Sequence, residues 1–119
     1  MSITPMRMRE PTYFILASLQ DEPLHGWAII KRADELSRGQ VKLATGTLYS
    51  ALDRLAGEQL VRVSDEQIVN GRARRYYTLT DAGLVALREE AARLADAARI
   101  VTERGTSTAR PVRPGAVPA

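Results

Sequence analysis

At 119 residues the chain has room for one domain with an attached element, and its 45% hydrophobic content allows a real core. It has no cysteine and one histidine, which excludes disulfides, thiol-based redox or metal sensing and any His/Cys metal cluster. The formal charge of +3 is a mild excess, so a polyanionic partner has to be argued from where the charges lie.

A first helix is predicted over residues 11–20. Pro11 suits a helical first turn, and Phe14, Ile15, Leu16 and Leu19 are apolar. Asp21-Glu22-Pro23 stops it. A second helix follows over 25–37 with Ile29, Ile30, Ala33 and Leu36 on one face, then a turn at Ser37-Arg38-Gly39-Gln40. His25, at its start, caps or packs there. Trp27 is expected to be a core anchor, the usual role of a large aromatic. The third helix covers 44–58, and Leu48, Ala51, Leu52 and Leu55 form its inward stripe. That phase leaves Gly46, Tyr49, Ser50 and Asp53 outward, flanked by Thr45, Thr47 and Arg54.

Strands are predicted at 60–63 and 74–79, joined through Asn70-Gly71, a strong hairpin-turn dipeptide. Tyr76 and Tyr77 alternate across the second strand, so one enters the core and the other faces out. Thr80-Asp81 then caps a fourth helix carrying Leu84, Leu87, Ala91, Leu94, Ala98 and Val101 at alternating spacings of three and four. From Gly105 onward little remains to bury, and a disordered tail is expected. The division is an N-terminal arm at 1–9, a core domain at 10–80, a helix at 81–104 and a tail at 105–119. Three helices and a hairpin give a mainly α fold with a small β wing (α+β): a winged helix-turn-helix plus a C-terminal helix. The heptad-like stripe on that helix needs a partner surface, and a second copy is the better reading, with Leu84, Leu87, Ala91, Leu94, Ala98 and Val101 as the seam.

Two basic segments lack acids altogether. Residues 36–52 carry only Arg38 and Lys42, and residues 67–80 only Arg72, Arg74 and Arg75. Together they suggest one basic face. In the third helix Thr45, Thr47 and Ser50 offer short hydroxyls to base edges or phosphates, Gly46 allows close approach, and Lys42 adds a point charge. Tyr49 either donates its hydroxyl to a phosphate or covers the core edge. In the wing Arg72, Arg74 and Arg75 suit phosphates or a narrow minor groove. An edge hairpin also uses charge against aggregation, but that explains an acid-free cluster of three less well. A winged helix serving only as a protein-interaction module is the alternative; it would not need the three arginines. No catalytic constellation, metal site or cofactor motif is present in the sequence. No apolar run approaches the ~20 residues of a membrane helix, and residues 1–9 lack a signal-peptide core, so a cytoplasmic location is expected.

Three blocks make the reading more specific. His25-Gly26-Trp27, then Thr45-Gly46-Thr47-Leu48-Tyr49-Ser50-Ala51-Leu52-Asp53-Arg54-Leu55, then Gly71-Arg72-Ala73-Arg74-Arg75-Tyr76-Tyr77-Thr78-Leu79-Thr80-Asp81-Ala82-Gly83 resemble the PadR-type winged-helix regulators, in order and spacing. The resemblance implies a homodimer, often a repressor, that binds a palindromic double-stranded operator through the third helix and wing under small-molecule control. The single C-terminal helix resembles the compact branch of that family. Trp27 stands where the family usually has tyrosine. Some compact relatives stack flat aromatic drugs on a tryptophan of the fourth helix; this helix has no aromatic residue, so that mode is not expected here. An effector, where one acts, is expected between the first and fourth helices.

Overall fold

The computed structural model describes residues 8–107. Its elements in chain order are α1 (Glu10–Ser18), β1 (Leu24–His25), α2 (Gly26–Leu36), α3 (Thr45–Gly57), β2 (Val61–Val69), β3 (Arg72–Leu79) and α4 (Asp81–Ser107). No helix among the described residues is long and apolar enough to cross a membrane.

The core forms where the apolar stripes of the first three helices converge. Ile15, Leu16 and Leu19 meet Ile29 of α2 and Leu48, Leu52 and Leu55 of α3, with Val61, Tyr77 and Leu87 closing the sides. Full burial of each aliphatic side chain contributes about 1.5–3 kcal/mol, so this cluster dominates the stability of the domain. Tyr77 is the inward tyrosine of the predicted pair, and Tyr76 is half-buried on the other face. Leu36, expected on the apolar face of α2, is instead exposed, because Ser37 already begins the turn away from the core.

The sheet has three antiparallel strands in the order β1-β3-β2, one more than the sequence suggests. β1 is only two residues long and pairs Leu24 with Tyr77 and His25 with Tyr76, which fastens the start of α2 to the wing. The hairpin is also longer than expected. β2 runs through the polar stretch Ser64 to Gln67, whose composition disfavours a strand, because β3 supplies a ladder partner all the way to the turn. An irregularity in register between Val63 and Asp65 makes room for Ser64, whose hydroxyl donates to the Tyr76 carbonyl at 3.3 Å. At the tip Asn70 (φ 52°) and Gly71 (φ 76°) both occupy the left-handed region, which is what a two-residue primed turn requires.

α4 starts as its cap predicts. The Thr80 hydroxyl accepts from the Gly83 N–H at 2.9 Å and donates to the Gln59 carbonyl at 2.6 Å. Gly83 is there for room: a Cβ would lie 2.0 Å from the Leu60 carbonyl oxygen. The helix continues to Ser107, so residues 105–107 are helical rather than part of a tail; residues 108–119 lie outside the described residues, as do 1–7 of the arm. The seam predicted along α4 divides in two. Leu87 is 3% exposed within its own domain and belongs to the core cluster, and Leu84 is half-buried. Leu87 is therefore corrected from partner surface to core: the first turns of α4 pack back toward α1. Ala91 is half-buried, while Leu94 (40%), Ala98 and Val101 (70%) lie exposed.

Candidate nucleic-acid interface

α3 presents the face that its inward leucines dictate. Leu48, Leu52 and Leu55 are fully buried, and Thr45, Gly46, Thr47, Tyr49 and Ser50 are exposed at the N-terminal half of the helix. Nothing lies within 4 Å of the Cβ position at Gly46, so the backbone there is open to close approach. Lys42 projects just ahead of the helix and pairs with Asp34 at 3.0 Å; both side chains are well exposed, so water weakens the pair.

Beside α3, the wing and the start of α2 enclose a cleft of about 540 Å³, lined by His25, Gly26, Trp27, Tyr49, Val69, Asn70, Arg72, Ala73, Arg74 and Arg75. The lining contains no carboxylate. Alternation along β3 puts Arg72, Arg74 and Tyr76 on one face and Arg75 with Tyr77 on the other. Neither Arg72 nor Arg74 forms an ion pair or side-chain hydrogen bond among the described residues. His25 meets Tyr76 edge-on, centroids 5.5 Å apart. Its pKa is held below the ordinary 6.5, first by burial and then by the charge of Arg74.

Tyr49 is the residue that joins α3 to this cleft. A Cβ at Gly26 would lie 2.3 Å from the Tyr49 hydroxyl oxygen, so only glycine lets the phenol rest across the start of α2. Its ring thus packs on the domain edge while the side chain stays partly exposed.

Three sequence-based assignments are redrawn here. Trp27 is not a core anchor: it is 65% exposed, with the Lys31 ammonium 5.6 Å from its ring centroid. Gly26, Ile29 and Ala33 are the buried residues of α2, and Trp27 sits one residue off that stripe, about 100° around the helix. Arg54 turns away from the α3 face and donates to the Thr12 hydroxyl at 2.9 Å, with Glu58 at 3.6 Å. Arg75 lines the cleft but its guanidinium is bound to Glu66, its cross-strand partner, at 3.0 Å. An acid nine residues away in sequence is thus adjacent in space. The remaining group (Lys42, Thr45, Gly46, Thr47, Tyr49, Ser50, Arg72, Arg74) lies along α3 and the wing.

Arg54 instead borders a second cavity, of about 940 Å³, between α1, α3 and α4. Its lining includes Met8, Arg9, Thr12, Glu58, Ala86, Glu89, Glu90 and Arg93.

Three helices, the third exposed beside a β-hairpin wing, define a winged helix-turn-helix protein. Residues 15–89 match the family described as "Transcriptional regulator PadR-like family". The chain is 41% identical over 96 residues to transcriptional regulator Rv3488 of Mycobacterium tuberculosis, across 80% of this chain and 85% of that one. It belongs to the PadR-like family of transcriptional regulators. Among solved structures, a PadR family transcription regulator from Clostridium difficile R20291 shares the fold with a TM-score of 0.67 at 23% identity, covering 80% of this chain and 97% of that one. Bacillus subtilis PadR, solved in complex with operator DNA, superposes with a TM-score of 0.58 at 26% identity, covering 65% of this chain and 44% of that one.

Proposed function

We propose that this regulator binds a palindromic operator as a homodimer and acts as a repressor, with α3 in the major groove and the wing on the adjoining backbone. The observation that carries the reading is the shared cleft: the exposed N-terminal half of α3 and the unpaired Arg72 and Arg74 open onto one carboxylate-free surface. A single-sign surface of that kind attracts phosphate and draws its affinity from released counterions. The operator complex of Bacillus subtilis PadR supports the assignment by analogy. Thr47 and Ser50 then read base edges, Thr45, Lys42 and Tyr49 hold the backbone, and Gly46 permits the approach.

The exposed half of α4 supports the second part. Leu94, Ile100 and Val101 lie bare while the start of the same helix is packed, and a second copy of α4 would cover them. A two-fold protein matches half-sites about one helical turn, ~34 Å, apart. The cavity between α1 and α4 is where a small-molecule effector would act on that pairing. We place the protein in the cytoplasm, with the DNA.

The test is a titration of the DNA upstream of its own gene against random duplex, at several salt concentrations, with sedimentation on the same samples. Operator preference in a dimer with a steep salt slope supports the reading. Binding of no duplex at low salt sinks it. Leu94→Asp should place a carboxylate in the paired helices, separate the chains and abolish operator preference.

A further inference from the structure

The cleft holds one residue that neither the core nor the reading of α3 accounts for. Trp27 leaves 65% of its surface in water, where an indole forgoes most of the stabilisation that burial would give it. It stands in the first turn of α2 on the wall opposite the wing arginines, with Lys31 one turn further along against its ring. Its indole N–H is a donor with no acceptor character, and a phosphodiester oxygen is an acceptor with no donor. Between an α3 seated in the major groove and a wing reaching the minor groove runs one sugar–phosphate strand. The cleft lies between those two elements.

We propose that Trp27 is a DNA-backbone contact: the cleft between the start of α2, Tyr49 and the wing seats the phosphodiester strand that separates the two grooves, with the indole against its sugar–phosphate edge and Arg72 and Arg74 on the other side. The proposal rests on the DNA-binding reading above. It adds a contact from α2 that is indifferent to sequence, because sugar and phosphate carry no base identity.

Trp27 is the only tryptophan in the chain, so the intrinsic emission of the unmodified protein reports on this position alone. The experiment follows that emission, and its quenching by neutral acrylamide, as a labelled duplex from upstream of the gene is bound; anisotropy of the label reads binding independently. Loss of acrylamide quenching and a shifted emission, in step with the anisotropy, are expected with operator and random duplex alike. Trp27→Ala should weaken both duplexes by a similar factor of about ten, the scale of one lost contact, with an unchanged melting temperature. Trp27→Tyr, which keeps a ring and a donor, should restore most of the loss. A saturated complex in which emission and quenching match the free protein overturns the proposal and leaves the DNA reading standing. So does a Trp27→Ala protein that changes operator preference and not overall affinity. Failure of every duplex to bind removes both.

Discussion

Two concave regions of this small domain are each walled by three arginines, and they differ in what faces those arginines. In the cavity between α1, α3 and α4, Arg9, Arg54 and Arg93 share the walls with Glu58, Glu89 and Glu90. Arg93 donates to Glu90 through two nitrogens and Arg54 is spoken for by Thr12 and Glu58. In the cleft between α2, α3 and the wing, Arg72 and Arg74 meet no carboxylate, and only Arg75 is paired. Charge satisfied inside the chain ties elements together, whereas unpaired charge of one sign remains for an outside partner. The number of arginines is the same in both regions, so it is the placement of acids that separates a structural site from a binding surface.

α3 contributes to both regions, so its buried side offers the broadest way to break the comparison. Leu52→Ala should cost about 2–5 kcal/mol of unfolding free energy and loosen cleft and cavity together. Thermal melts check it, and a harmless Leu52→Ala would mean that the outward face of α3 has been misassigned. The next effect belongs to the cleft alone. Arg72→Ala with Arg74→Ala should leave the melting temperature in place and weaken every duplex. The slope of log affinity against log salt should flatten by up to ~2, one for each phosphate released. An unchanged slope would put the cleft in the same class as the cavity.

Ser50→Ala and Thr47→Ala sharpen the distinction within the cleft side. Each should lower operator preference over random duplex by about 1–3 kcal/mol where a base contact is lost, with little effect on the salt slope. Competition binding with the two duplexes reads this directly. On the cavity side Arg54→Ala should do the reverse: a stability loss of about 1 kcal/mol from its bond to Thr12, with DNA affinity and salt slope intact. A flattened slope in Arg54→Ala would return that residue to the DNA face.

The smallest effect is a pH dependence. The folded protein holds the His25 pKa below its ordinary value, by burial and then by Arg74, so between that depressed value and about 6.5 the unfolded chain binds more proton. The stability concerned is fully present above 6.5 and is lost as pH falls through the folded value. Melting temperatures compared across this window should therefore drop less in His25→Gln than in the original chain. Parallel profiles would show that His25 does not sense its surroundings. Because Arg74 is one of the two causes, Arg74→Ala should narrow the same difference.

Much of this was readable from the residues because the apolar stripes are regular. The leucines of α3 fix its phase, and with it the exposure of Thr45, Thr47 and Ser50; Asn70-Gly71 marks the wing tip. What stayed hidden depends on partners distant in sequence. A strand of two residues has no periodicity to detect, and β1 exists only because Tyr76 and Tyr77 arrive beside it. Glu66 neutralises Arg75 through a register that no composition window reveals. Arg54 lies next to Leu55 on the helix and follows it toward α1, although charge alone favoured the outer face. Trp27 was legible in principle: the spacing of Ile29 and Ala33 excludes it from the buried side of α2, and residue type outweighed position in the expectation.

The two-residue strand also divides the wing mechanically. Where β1 lies beside β3, the sheet is three strands wide and one face is packed on the core; beyond Tyr76 it narrows to a ribbon of two strands with residues 62–68 exposed. A two-stranded ribbon in water is marginally stable by itself, so it opens and recloses far more often than the sheet to which it is anchored. The base of the wing therefore keeps its bearing relative to α2 while the tip, with Arg72, samples a range of positions. Such a tip can find the backbone of duplexes whose groove widths differ, and it loses that freedom only on arrival. Sequence by sequence, the resulting entropy loss falls on dissociation and association rates unequally, which gives the wing a part in how long the regulator stays on its site as well as in how tightly it binds.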